Sequence, residues 1–392
     1  MAWFRMLLYL QKSKTRLHEV NQMKNPDVVI IGAGGAGCAT GYYLANANKK
    51  VLILEKEAIA SHASGFAFGG LQPLAGAGIP GPALPLAIAS HELHKSLAST
   101  LAEETGMDTH FRIHPRMHLA FDEETKDSLL AALQWQKKYA DFNLNWLSAG
   151  EVEAYESRLS KDIIGAMLIE GTASIESYRY VLALAQAIEK KGGEIKQGTA
   201  IGIRKTGPKA LAVRLENSEI PCEHVVIASG PWAYESSEWI NWPIPVKPLK
   251  GQILRLSIPS GPLNCSFNSG HGYVGTKPDG LTWLGTTEES VGFDDKPTSE
   301  ARDYLISFLL KMLPELDDAQ IIHHTACLRP MSKDGLPIIG QVPGLDNVFV
   351  AAGAGRKGIL LSTGMGKAIC ELILDKKSSL ATPELSLERF DS

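Results

Sequence analysis

Four short stretches of the chain are apolar without alternation: VVII at 28–31, VLIL at 51–54, VVIA at 225–228 and VFVAA at 348–352. Runs this short and this rich in β-branched residues predict strands buried on both faces, the habit of a parallel sheet covered by helices. The segment between the first two has helical length and periodicity. Further helical patterns fall at 91–106, 122–139 and 299–313, in SAGEVEAYES, and in SYRYVLALAQAIEKK ahead of a glycine turn. HFRIHPRMHLAF alternates like a strand that Pro115 interrupts. Strands are also expected at 199–205 and 210–215, and 243–298 reads mainly as strand and turn, with GQILRLSI, GYVGT and GLTWLGTT. AIASHASGFAFGGLQPLAGAGIPGPALPLA is too apolar for a linker and too rich in breakers for one element, so it reads as an ordered loop wrapping a ligand.

The first strand runs into GAGGAG, which places Gly32, Gly34 and Gly37 in the spacing G-x-G-x-x-G. Lacking Cβ atoms, the first permits a tight turn, the second lets a pyrophosphate approach the main chain, and the third lets helix and strand pack closely. Unpaired N–H groups at the start of the helix then face the phosphates. The second strand ends in an acid, Glu55, at the separation of a ribose-binding carboxylate. Strand, loop, helix, strand and acid agree on dinucleotide binding, with an unphosphorylated ribose. The alternative is a structural βαβ unit with an accidental glycine pattern.

With 392 residues the chain is long for one core and fits two domains. Hydrophobic content of 44% beside 21% charged residues describes a soluble protein, and a net charge of −4 without a basic tract argues against nucleic acid as a partner. Five scattered cysteines without a C-x-x-C pair fit a reducing, cytoplasmic setting and no thiolate metal site. His110, His114 and His118, spaced by four in an extended chain, lie too far apart for one ion, so no metal is expected. His91 and His94 read as surface residues of a helix, and Cys38 as a small buried one. No apolar run approaches the roughly 20 residues of a membrane span. Residues 1–23 read as an N-terminal extension, with Met23 placed as a natural initiator would be; its basic and apolar residues leave peripheral membrane contact open.

The glycine motif with Glu55, SHASGFAFGG, VVIASGPWA, YVGTKPDGLTWLGTTEESVGFD, LRPMSKDGLPIIG and GAGRKGILLS together resemble the FAD-dependent D-amino acid oxidase superfamily, in the branch of glycine oxidase, sarcosine oxidase and the D-amino acid dehydrogenases. The resemblance runs in one order from about residue 27 to 374. It implies an α/β fold: a Rossmann-like FAD-binding domain (24–95, 148–235 and 326–392) with an inserted α+β substrate domain (96–147 and 236–325) on a mainly antiparallel sheet. It implies FAD as cofactor and an amino acid or related amine as substrate, oxidised at its C–N bond. In the sarcosine oxidase branch FAD is attached through a cysteine of the late glycine loop; here residues 353–358 contain none, which favours non-covalent binding.

The cofactor contacts implied are Gly32, Gly34, Gly37 and Glu55 at the first turn, then Ser64, Gly65 and Gly230. The late loop adds Gly353, Gly355, Arg356, Lys357, Gly358 and Ile359. Backbone N–H groups there, helped by the helix dipole and by the charges of Arg356 and Lys357, suit the N1–C2=O edge of a flavin, where reduction places negative charge. The alternative is a plain helix cap with solvated basic residues. Arg329, in LRP, matches the substrate-carboxylate arginine of the amino acid-oxidising relatives, a role for which a planar bidentate guanidinium is apt. Its alternative is an ion pair with Asp334. Tyr273 matches a tyrosine at the substrate; its alternative is packing. Gly275 and Thr276 replace a Pro-Arg common in relatives, and Ala354 and Gly355 replace bulkier residues, which suits a larger or differently charged substrate.

No catalytic base is required if the amine binds neutral. Two other functions remain open: an FAD-dependent 2-hydroxy acid or polyol phosphate dehydrogenase, and a non-catalytic flavin-binding subunit. The electron acceptor, whether oxygen, a quinone or a partner protein, stays open, and the oligomeric state is not encoded in any motif.

Overall fold

The computed structural model describes residues 25–390 apart from 75–78, 80 and 271. The extension expected over 1–23, with Met23, lies outside the described residues.

The four apolar runs meet in one six-stranded sheet, ordered Ile338–Gln341, Val348–Ala352, His224–Ile227, Val28–Ile31, Val51–Glu55 and Glu194–Gln197. All neighbours are parallel except the first pair. Why the runs do not alternate is visible in the two cores. Val28 and Ile30 pack against the helices Gly35–Asn46, Ser177–Lys190 and Gly358–Asp375, whereas Val29 and Ile31 pack toward the small sheet of Gly202–Thr206, Lys209–Arg214 and Glu219–Pro221. Both faces are dry, so neither carries polar residues.

A second sheet of eight strands is mainly antiparallel. Its order is Gln320–Ser332, Val246–Ser257, Thr282–Gly285, Gly272–Thr276, Ser266–Ser269, Arg116–Ala120, Gly165–Glu170 and Asn143–Ser148. Only Ser266–Ser269 and Arg116–Ala120 run parallel among these pairs. Here the strands alternate. Met117, Leu119, Phe267, Val274 and Leu284 face a core completed by Leu305 and Leu309 of the helix Ser299–Met312. Arg116, His118, Asn268 and Tyr273 take the opposite face.

The α/β arrangement with a parallel and a mainly antiparallel sheet is the expected one, but three details differ. The strands Asn143–Ser148 and Gly165–Glu170 had no counterpart in the pattern, and Gly165–Glu170 joins the eight-stranded sheet although it falls within 148–235. The helix expected over 91–106 begins at Ala83, directly after Pro82, inside the stretch read as loop. His91 and His94 are buried rather than exposed, at 2% and 1%. The Nε2 of His94 lies 2.8 Å from the carbonyl oxygen of Ile359 and 3.1 Å from that of Leu360, tying this helix to the start of Gly358–Asp375. Cys38 is buried, as expected.

Candidate active site

One elongated cavity of about 630 Å³ joins the C-terminal edge of the parallel sheet to the polar face of the eight-stranded sheet. Its size falls in the range of roughly 300–1,000 Å³ typical of ligand sites.

At one end lies the glycine turn. Gly32 has φ +108°, and a Cβ there would meet the carbonyl oxygen of Ala228 at 2.5 Å; a Cβ on Gly37 would lie 2.0 Å from the carbonyl oxygen of Gly32. The helix Gly35–Asn46 starts with no side-chain cap of its own, and the N–H of Gly35 donates to Ser64 Oγ at 2.9 Å. Glu55 is anchored: its Oε2 accepts from Ala33 N at 2.8 Å and its Oε1 from Glu57 N at 3.0 Å. Each oxygen keeps a lone pair for a sugar hydroxyl. Gly230 and Trp232 of the turn after His224–Ile227 line the same end. Gly65 packs beneath, where a Cβ would strike the carbonyl oxygen of Ala60 at 2.1 Å. These features fit a dinucleotide, since the uncapped helix start and the bare backbone form an anion cradle.

The late loop closes the middle of the cavity. Gly353, Ala354, Gly355, Arg356, Lys357, Gly358 and Ile359 all line it, and the single turn Gly355–Lys357 leads directly into the long helix Gly358–Asp375. Its two cations part ways. Arg356 is exposed and forms a bidentate ion pair with Glu288, with Nη2 2.5 Å from Oε2. Lys357 turns inward and donates to the carbonyl oxygen of Gln72 at 3.3 Å. Burial, reinforced by the charge of Arg116, lowers the Lys357 ammonium to about 8.

At the far end Arg329 and Tyr273 enter from different strands of the eight-stranded sheet. Arg329 Nη2 donates to Thr286 Oγ1 at 2.5 Å and Nη1 to the carbonyl oxygen of Thr287 at 3.3 Å. Among the described residues it has no ion pair; Asp334, the alternative partner, is taken by Arg389 at 2.7 Å. The loop that holds the guanidinium is itself braced. Thr287 Oγ1 accepts from Gln252 N at 3.0 Å and donates to Glu289, and the Gln252 side chain donates to Glu289 at 2.8 Å. Tyr273 packs its ring 4.7 Å from that of Phe68, and burial raises its phenol against the opposing pull of Arg329, so the hydroxyl stays protonated. Two glycines make room: Gly251 lies under Arg329 and Gly285 under Tyr273.

Arg116 and Asn268 line the cavity and were not singled out by sequence reasoning. His118 had been considered only as a metal ligand. Burial, with Arg116 and Lys357 adding to it, lowers the imidazole to about 3, so it is neutral. No local pattern marks these residues, because the parallel pairing of His118 with Asn268 joins segments 150 residues apart in the chain.

The chain matches the family model described as FAD dependent oxidoreductase over residues 27–372. It is 30% identical to glycine oxidase of Pseudomonas aeruginosa over 362 residues, covering 90% of this chain and 94% of that enzyme. Glycine oxidase of Geobacillus kaustophilus is 29% identical over 365 residues, 93% of this chain and 97% of the enzyme. The crystal structure of the glycine oxidase from Geobacillus kaustophilus superposes with a TM-score of 0.89 at 29% identity, covering 94% of this chain and 99% of that one. No helix among the described residues is long and apolar enough to cross a membrane.

Proposed function

The chain belongs to the FAD-dependent oxidoreductase family, and from that premise we propose that it oxidises the C–N bond of an amino acid or related amine, giving an imine that water hydrolyses. One observation carries the reading: Arg329, a guanidinium without a carboxylate partner among the described residues, stands at the end of the cavity remote from the dinucleotide turn.

Bound FAD supplies the two-electron acceptor for the hydride that leaves the α-carbon. The protein's share is alignment. Glu55 would hold the ribose and the start of Gly35–Asn46 would hold the pyrophosphate. Ser64, Gly65 and Gly230 shape that channel. The turn Gly355–Lys357, with Gly353, Gly358 and Ile359, would hold the flavin by backbone N–H groups and the Lys357 cation, donors suited to negative charge on it. Arg356 acts differently from the expectation: its bidentate pair with Glu288 braces the rim. Arg329 grips the substrate carboxylate bidentately and so fixes the direction of the α C–H bond. Tyr273 donates its hydroxyl to the substrate and closes the pocket with its ring.

The same cations explain why no general base is needed. Arg329 and Lys357 line the substrate side of the cavity, and nearby positive charge lowers the pKa of a bound ammonium. The amine therefore binds neutral, with its lone pair ready to form the C=N bond as hydride departs. Non-covalent attachment of FAD rests on the cysteine-free loop 353–358. A panel of amines and 2-hydroxy acids, added anaerobically to the yellow holoprotein and followed by air, tests the reading. Bleaching by amines supports it; bleaching by hydroxy acids alone, or by nothing, overturns it. Recovery of colour in air assigns oxygen as an acceptor.

A further inference from the structure

The mechanism uses Arg329 for one carboxylate and leaves a second guanidinium unexplained. Arg116, the first residue of Arg116–Ala120, is 6% exposed and lines the cavity. Among the described residues it has no ion pair, and its Nε is buried without a hydrogen-bond partner. Its guanidinium lies near an aromatic ring, with Cζ 5.6 Å from the ring centroid of Phe68, the ring that also packs on Tyr273. Burial lowers its pKa to about 10, so the charge persists at neutral pH.

Its neighbours are unsatisfied in the same direction. His118 stands two residues further along the strand and hence on the same face. Asn268, 9% exposed, is the register partner of His118, and Tyr273 is the register partner of Asn268. Among the described residues Asn268 Oδ1 and His118 Nε2 are both buried without partners. Three adjacent strands thus present to one cavity a cation and polar atoms with nothing to bind. A buried charge without a counter-ion costs several kcal/mol, a cost that an anionic ligand removes. Among the described residues no acid that lines the cavity is available to do so. Of the acids lining the cavity, Glu55 is held at the dinucleotide turn and Glu288 is committed to Arg356, while Glu235 belongs to the turn Gly230–Ser236 beside Trp232.

Resting on the C–N oxidation reading, we propose that the substrate is a dicarboxylic amino or imino acid: Arg329 holds the carboxylate next to the reacting carbon, and Arg116 with Asn268 holds the distal one. The topology also sets a scale. Four strands separate those carrying Arg329 and Arg116, so five steps of roughly 4.8 Å set those strands about 24 Å apart across the sheet. Arg329 and Arg116 thus enter one cavity from well-separated strands, which suits a ligand with a carboxylate at each end.

The test uses the FAD-loaded full chain and anaerobic flavin bleaching. Aspartate, glutamate and 2-aminoadipate of both hands, with N-(carboxymethyl)glycine, are compared with asparagine, glutamine, sarcosine and glycine. A diacid is expected to exceed its matched amide in kcat/KM on the order of 100-fold, and Arg116→Gln to erase most of that ratio through KM. Glutarate, which cannot be oxidised at nitrogen, provides a binding readout by calorimetry and by its perturbation of the flavin spectrum; Arg116→Gln abolishes this and Arg116→Lys retains part of it. Asn268→Ala reports independently if the Arg116 variants fail to fold, and is expected to lower the diacid-to-amide ratio and to weaken glutarate. If neutral amino acids bleach the flavin as well as diacids do and these variants leave the ratio unmoved, the distal-carboxylate assignment falls while C–N oxidation stands. If no amine bleaches the flavin yet glutarate binds through Arg116, the reaction is wrong and the two-anion site survives. Loss of FAD from Arg116→Gln with the diacid-to-amide ratio intact would place Arg116 on the cofactor and overturn the proposal.

Discussion

A Cβ added to Gly251 would lie 2.1 Å from Nη2 of Arg329, so this strand gives up a side chain where the guanidinium crosses it. The arrangement recurs one functional group away, where a Cβ on Gly285 would lie 2.7 Å from the hydroxyl of Tyr273. A glycine inside a strand weakens it and marks a close approach. The approach here is between the sheet and the two side chains read as substrate contacts.

Gly251→Ala therefore pushes the Arg329 guanidinium off its seat on Thr286 and Thr287. A shift of about 1 Å in a positioning group costs on the order of 100-fold in rate. Steady-state kinetics should show kcat/KM falling by about that factor. The FAD content should stay at the wild-type value, because Gly251 does not line the cavity. Loss of flavin from this variant would contradict the assignment.

Gly37→Ala is expected to act at the other end and in the other observable. Its Cβ would meet the carbonyl oxygen of Gly32 at 2.0 Å, backbone against backbone, so neither side yields cheaply. Overpacking of this kind costs about 1–3 kcal/mol, and here it also opens the turn that approaches the pyrophosphate. The variant should purify with little colour and unfold at lower temperature. Gly150→Ala is the control: it lies in the helix Ala149–Tyr155 with nothing within 4 Å of the added atom, and should be neutral.

Much of this was legible along the chain because it is local. The dinucleotide turn is one strand, six residues and one helix, so the spacing of Gly32, Gly34 and Gly37 carries the geometry with it. Arg329, Tyr273 and the late loop came from resemblance over several ordered blocks. What stayed hidden is what the fold creates between distant segments. His94 looks like a helix-surface residue until two carbonyl groups 265 and 266 positions later close over it. Arg116 lies in a strand that alternates correctly, but alternation alone does not say whether its polar face meets water or a cavity. Only the pairing with Ser266–Ser269 and Gly272–Thr276 decides that. The strand Gly165–Glu170 was missed because its run Ala166, Met167, Leu168 and Ile169, although buried throughout, has only one β-branched residue, so the pattern does not separate it from a buried helix segment.

Lys357 predicts a pH dependence. Its folded-state value, about 8 against the ordinary 10.5, means that between those two values the unfolded chain binds more protons than the folded one. Stability without ligand therefore rises with pH across that window. The charge that Lys357 lends to the flavin edge is lost as pH passes upward through about 8. Anaerobic bleaching at saturating substrate should show a descending alkaline limb, and Lys357→Met should be slower at pH 7 with that limb absent. A limb of unchanged position in the variant would assign it to another group.

Asp334 yields a prediction that separates structure from chemistry. Its carboxylate pairs with Arg389, Nε to Oδ2 at 2.7 Å and Nη2 to Oδ1 at 3.1 Å, and accepts the N–H of Leu336 at 3.1 Å. Burial works to raise the Asp334 carboxyl, but these partners outweigh it and hold the group below its ordinary range. A carboxyl lowered in the folded state contributes stability that is present above its unfolded value and is lost as pH falls through the folded one. Partial exposure limits the pair to about 1 kcal/mol, or roughly 2 °C in a chain of this size. Asp334→Asn should melt about that much lower than wild type near pH 7, and the two curves should converge as the buffer is taken into the acid range. Because Arg329 is not its partner, the KM for substrate should not change. A large KM effect would mean that Asp334 reaches the substrate arginine after all, in which case the guanidinium would not be free for the carboxylate it is assigned to hold.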